Sequence, residues 1–241
     1  MNNLFDIDSP LMQALGRLAD LMLLNFLTLI CCIPIVTAGA AFTALDYMCL
    51  KLVRNEENYL IRGYFKSFKE NFKQSTGIWL IILWVIAAVA GDVLIMNYSS
   101  VEFPFIVRMA VLFVSIVTLC TAMWVFPIQA KFVNPVFKTI KNAFKASLLQ
   151  FPRTLLMIGL FFVPILAMMY TNFLVPIVFL FGFTFHSYLS AMLYNKFFLR
   201  LEEAAMKGSG QEEKLAEAED ERIFHDEIDP EIAAIQDDTL K

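Results

Sequence analysis

The sequence predicts an all-α, polytopic helical membrane protein of about six spans in three hairpins, with two cytoplasmic amphipathic helices lying in the interface. Three observations lead there. Of the 241 residues, 59% are hydrophobic and 24 are Phe, where a soluble domain averages about 45–50% apolar. The excess falls in long runs, "TGIWLIILWVIAAVAGDVLIMN", "FPFIVRMAVLFVSIVTLCTAMWVF" and "FLVPIVFLFGFTFHSYLSAMLYNKFFL". Each holds the roughly 20 apolar residues that cross a hydrocarbon core of about 30 Å. The basic residues, thirdly, stand in clusters between the runs and so mark which ends of the spans share one side.

Taken in chain order, the first 50 residues hold two short spans, at about residues 18–33 and 38–53, flanking "IPIVTAG". Pro34 and Gly39 are the turn residues there. The alternative is one long broken helix, which gives five spans and places the N-terminus outside. Spans near 77–97 and 104–127 form the next hairpin, turning at "NYSSVEFP", and spans near 153–170 and 173–199 form the last, turning at "MMYTN". Basic residues in short loops mark the cytoplasmic side. Lys51, Arg54, Arg62, Lys66, Lys69 and Lys73 form one cluster, Lys131, Lys138, Lys141, Lys145 and Arg153 a second, Lys196 and Arg200 a third. An even number of spans separates them, so all three lie inside. The expectation is a multi-pass protein of the cell membrane with both termini cytoplasmic. "MNNLFDIDSP" lacks the basic region of a cleavable signal peptide.

Charge divides the chain into a membrane domain, 1–200, and an acidic cytoplasmic tail, 201–241, flexible or partly helical. The tail holds 14 acidic and four basic side chains and the body nine acidic and 15 basic, so the tail carries −10 and the body +6. "KGSGQ" reads as a flexible linker. "EEKLAEAEDERIFHDE" has helix-forming composition, and "DPEIAAIQ" starts with a plausible cap. The four cysteines, Cys31, Cys32, Cys49 and Cys120, fall in apolar runs without metal or redox spacing and read as small hydrophobes.

One phrase occurs twice. "FKSFKENFKQS" (65–75) returns 72 residues later as "FKTIKNAFKAS" (137–147), with six of eleven positions identical. On a helix, Phe65, Phe68 and Phe72 share one face beside a stripe of Lys66, Lys69 and Lys73. In the second copy Phe137, Ile140, Phe144 and Leu148 share a face beside Lys138, Lys141 and Lys145. Asn134 and Pro135 suit the start of that helix as cap and first-turn proline. Each copy leads into a span, so the unit of basic helix plus hairpin reads as a parallel internal repeat. Its plainest role is an interfacial anchor. Its functional role is a docking surface for a partner.

Polar groups inside the runs are functional candidates. Asp92 and Arg108 lie equally far from the hairpin turn and are expected to form an intramembrane ion pair. Asp46 has Lys51, Arg17 and the basic helices as candidate partners. His186, Tyr188 and Asn195 make the last span polar, for helix–helix hydrogen bonds or for a polar path. One histidine without a second ligand at helical spacing is no metal site, and nothing in the sequence calls for a cofactor. No G-x-x-x-x-G-K-[ST], HExxH, GxSxG or paired catalytic carboxylates occur, so the chain reads as non-enzymatic. Its partner is the lipid bilayer, with no nucleic-acid surface.

The block Ile30–Ile81 resembles the YesL-like membrane family of Gram-positive bacteria, a domain of unknown function. Pro34–Thr37 with Gly39, Lys51–Arg54 with Glu56, and Phe65 with Phe68–Gln74 carry the resemblance, which extends over roughly residues 1–200. The family offers no catalytic residues to transfer. It implies a part in sugar uptake beside carbohydrate ABC importers. Together with the doubled basic helices, the absent ATPase motif and the minimal outside loops, this makes the leading expectation an accessory subunit associated with the importer's permease subunits. The rival expectations are a small-solute permease whose own path His186, Tyr188, Asn195 and Asp46 line, and a membrane-bound regulator acting through the tail.

Overall fold

The computed structural model describes residues 10–56, 59–98, 104–132, 134–170, 173 and 175–225. The elements are α1 (Pro10–Cys32), a 3-10 turn (Ile35–Thr37), α2 (Ala38–Arg54), α3 (Leu60–Tyr98), α4 (Phe105–Lys131), α5 (Val136–Leu149), α6 (Phe151–Tyr170) and α7 (Val175–His225). No strand occurs among the described residues. Five helices are long and apolar enough to cross a membrane. α6 adds a sixth span when counted with α5, from which it is bent by 101°. The protein is thus an all-α polytopic membrane protein.

The chain divides into two units, Met1–Asn195 and Lys196–Lys241, five residues before the change in charge. In the second unit the linker expected at "KGSGQ" is helical, since α7 continues to His225. Gly208 and Gly210 cost about 1 kcal/mol each relative to Ala, and no proline interrupts the strong helix formers around them. The segment "DPEIAAIQ", the N-terminal residues 1–9 and parts of both expected hairpin turns (99–103, 171 and 172) lie outside the described residues.

Side-chain contacts fix how the helices of the first unit run. Arg17, near the start of α1, donates to Asn55 Oδ1 beyond the end of α2, as antiparallel neighbours require. α2 and α3 are antiparallel too: Thr43 Oγ1 meets Ser75 Oγ at 2.8 Å, and Met48 meets Gly63. α2 and α7 run parallel, Phe42 facing Phe183 at 5.5 Å between ring centres and Arg54 donating to Asn195 Oδ1 at 2.8 Å. Asn55 ends α2 in the left-handed region (φ 53, ψ 39), and Glu56 N–H returns to Lys51 O at 3.0 Å, a common way to satisfy terminal carbonyls.

The two copies of the repeated phrase are built differently. The first is not a separate interfacial helix. It is the opening stretch of the 39-residue α3, because "QSTGIW" contains no proline and helical propensity carries through. The second is separate. α5 stops at Gln150 (φ −111, ψ 37), and Pro152 stands in the first turn of α6, where its missing N–H costs nothing. Within a continuous helix Pro152 could not bond the Leu148 carbonyl and its ring would clash with it, which favours a new start here over continuation. Pro135, not Asn134, occupies the cap position of α5.

Candidate functional site

The repeated helices meet at one buried amide. Gln129, 2% exposed near the end of α4, donates from Nε2 to Gln74 Oε1 at 2.7 Å and to Asn71 Oδ1 at 3.3 Å. Its Oε1 accepts from Thr139 Oγ1 at 3.0 Å. Asn71 and Gln74 belong to the first copy and Thr139 lies in the second. A single side chain therefore joins both basic helices. Asn71 also donates to Ser67 O at 3.0 Å. Both polar ends of the buried Gln129 amide are satisfied, which is the condition under which a buried polar group stabilises.

Two pairs of equivalent positions in the doubled phrase share their burial. Ser67 and Thr139, equivalent positions, are both buried, and so are Ser75 and Ser147. The lysines and most of the aromatics face outward: Lys66, Lys69, Lys73, Lys138, Lys141 and Lys145 are exposed, as are Phe65, Phe137 and Phe144. Phe68, Phe72 and Ile140 are half-buried, with Phe68 and Phe72 in ring contact at 5.5 Å. Lys66 reaches Glu70 at 4.0 Å on an exposed face, a contact of little energetic weight. Between the first copy and the end of α4 lies a groove of about 990 Å³ whose wall includes Lys69, Lys73, Gln74, Gln129 and Lys131. Arg17, Arg54 and this groove share one end of the first unit, since α2 ends beside the start of α1, and α4 ends beside the start of α3.

Deeper in the same unit, a second cavity of about 570 Å³ is bounded by α1, α2, α3, α4, α6 and α7. Asp46, His186, Ser187 and Ser190 line it, with Phe42, Trp79, Phe126, Phe161 and Phe183 as aromatic wall. Asp46 takes its hydrogen bond from Ser187. None of the expected cations pairs with it among the described residues: Lys51 instead lies 4.9 Å above the Tyr47 ring, and Arg17 is bonded to Asn55. His186 packs edge-on against Phe161 at 5.5 Å. Of the four residues expected to line a path, Asp46 and His186 meet there. Asn195 is engaged by Arg54 instead, and Tyr188, half-buried, is not on the cavity wall.

The ion pair expected between Asp92 and Arg108 is not made. Both side chains are exposed, on α3 and α4, and no contact of ion-pair length joins them. Equal distance from a turn sets equal depth but leaves the rotation of each helix free, and here both rotate outward.

Two connections gave no sequence signal strong enough to single out. Asn25, 1% exposed in α1, donates to Phe179 O at 2.8 Å and accepts from the Phe183 N–H at 3.2 Å and the Thr184 hydroxyl at 3.2 Å. Phe183 N–H and Phe179 O are an i to i−4 pair, so Asn25 grips one turn of the α7 backbone. Trp124 donates from Nε1 to Thr154 Oγ1 at 2.8 Å and holds the start of α6 against α4. A lone Asn in an apolar run was the available clue to the first of these.

Residues 21–93 match the model of a family described as a protein of unknown function, DUF624. The matched segment runs from α1 through most of α3 and contains Gly39, Asp46 and the first basic phrase. Neither the curated proteins nor the solved structures contain a match to the chain.

Proposed function

We propose that the chain is a non-enzymatic accessory subunit that docks the permease subunits of a carbohydrate ABC importer through its paired basic helices. The observation that carries this reading is the buried Gln129 amide, which holds Asn71 and Gln74 of one copy and Thr139 of the other. Two independent anchors need no such link. A composite surface does, because its lysines must keep a fixed spacing to meet a partner's carboxylates. A protein with five or six apolar spans has ample area to stay in the bilayer, and about 1 kcal/mol per lysine at an anionic surface adds little to that. The importer as partner rests on the resemblance to the YesL-like family.

The test replaces Lys66, Lys69 and Lys73, or Lys138, Lys141 and Lys145, with glutamine. Membrane insertion and co-purification of permease subunits in mild detergent are then measured separately. Insertion is expected to persist and co-purification to fall. Undiminished co-purification with both sets replaced would leave the helices as anchors only. A second reading, a small-solute permease with its own path, draws on Asp46 and His186 sharing one cavity; solute uptake by the lone protein in vesicles would favour it.

A further inference from the structure

The cavity of about 570 Å³ contains polar chemistry that the packing of the protein does not use. Asp46 is 8% exposed and Ser190 2% exposed. Among the described residues, Ser190 Oγ and His186 Nδ1 are buried without a hydrogen-bond partner. Asp46 has the Ser187 hydroxyl, but among the described residues no ion pair reaches it. A hydroxyl supplies one hydrogen bond and no counter-charge. A buried carboxyl in apolar surroundings inside a membrane either holds a proton or is accompanied by a positive charge, and such groups mark ligand or ion sites.

The remaining wall has the complementary property. Phe42, Trp79, Phe126, Phe161 and Phe183 surround the space, and a desolvated aromatic face attracts a cation placed over it. The volume lies within the range of about 300–1,000 Å³ typical of small-molecule sites. An inorganic cation would find only one carboxylate and hydroxyls, too few ligands to replace its water. A large organic cation carries its charge on an apolar body and needs no such shell.

We infer that this cavity binds a lipophilic monocation, an organic ammonium or phosphonium, with Asp46 as its counter-charge and the aromatic wall around its body. Ser190 and His186 are then available to any polar substituent that the ligand carries. The inference concerns the interior of the first unit and is independent of the docking reading.

Equilibrium dialysis tests it on the full chain in nanodiscs of zwitterionic phosphatidylcholine, with tetraphenylphosphonium as the probe and triphenylphosphine oxide as the neutral comparison. The cation is expected to bind saturably at one site per chain. The neutral compound is expected to bind about tenfold more weakly or worse, as loss of the charge contact implies. Asp46→Asn should weaken the cation to a similar degree, and Ala122→Phe, which fills the cavity from α4, should abolish binding. Absence of saturable binding by the cation would overturn the inference, as would equal binding of the two probes, a measurement on the unaltered protein that stands even where a variant fails to fold. Equal binding would mean that the space is an apolar slot in which Asp46 has no part.

Discussion

At the scale of single residues, the molecule is joined by amides in places where an apolar sequence shows few. Gln129 sits at the end of a span, in "FPIQAK", where a glutamine passes for a solvated loop residue. In the structure it is buried and three-fold bonded. Replacing it with leucine keeps its bulk but strands Thr139, Gln74 and Asn71 around an apolar group. Gln129→Leu is expected to cost about 1–3 kcal/mol, the penalty for buried polar groups left unmade. The measurement is a thermal melt in detergent, with Gln129→Glu alongside. Glutamate keeps the acceptor for Thr139 but loses the donor to Gln74 and Asn71, so it should be no better than leucine. A wild-type melt for both variants would mean that the amide does not couple the copies. Asn25 is the same lesson on α1: one polar residue among leucines proved to be a clamp on α7.

At the scale of elements, the tightest joint is between α2 and α3. A Cβ added at Gly39 would lie 2.5 Å from Trp79 Cβ and 2.6 Å from the Ser75 carbonyl oxygen, so the two helices touch there through backbone. Small residues flank it: Ala38, Ala40, Ala41 and Ala44 are all buried, the composition by which membrane helices approach closely. Gly39→Ala must part the helices and is expected to destabilise by about 1–3 kcal/mol, as overpacking does. Gly16→Ala on α1, where nothing lies within 4 Å, should be neutral or slightly stabilising, since Ala is the better helix former by about 1 kcal/mol. Equal melting of the two variants would remove the close approach as a determinant. The helices themselves were largely legible from the sequence: run length and punctuation located five spans, α4 for one expected at 104–127 and running Phe105–Lys131, while the span expected at 153–170 counts as one only together with α5. The inward faces were not. In water the apolar face of a helix marks the core, but lipid is as apolar as a protein interior. The phenylalanines of the repeat therefore said nothing about packing, and the small polar positions Ser67, Ser75, Thr139 and Ser147 turned out to be the ones buried. The same ambiguity of rotation undid the pairing expected of Asp92 with Arg108.

At the scale of the whole molecule, the question that structure and sequence share is which end faces the cytoplasm. The body assembles Arg17, Arg54 and the groove bounded by Lys69, Lys73 and Lys131 at one end. The positive-inside rule assigns such an end to the cytoplasm. α3 allows a direct test, because one continuous helix contains both reporters. Lys69 and Tyr98 are both exposed, the latter 86%, and lie 29 residues apart on α3. At 1.5 Å per residue that is about 43 Å, close to the full thickness of a bilayer with its headgroups, about 40–45 Å. The two positions therefore belong on opposite sides. In a background free of Cys31, Cys32, Cys49 and Cys120, a membrane-impermeant maleimide should label Tyr98→Cys on intact cells and Lys69→Cys only after permeabilisation. The pattern is decisive in either direction, because an unbent helix cannot return its two ends to one face. Labelling of Lys69→Cys from outside would invert the body, take both basic helices out of the cytoplasm, and with them the docking of a partner on that side.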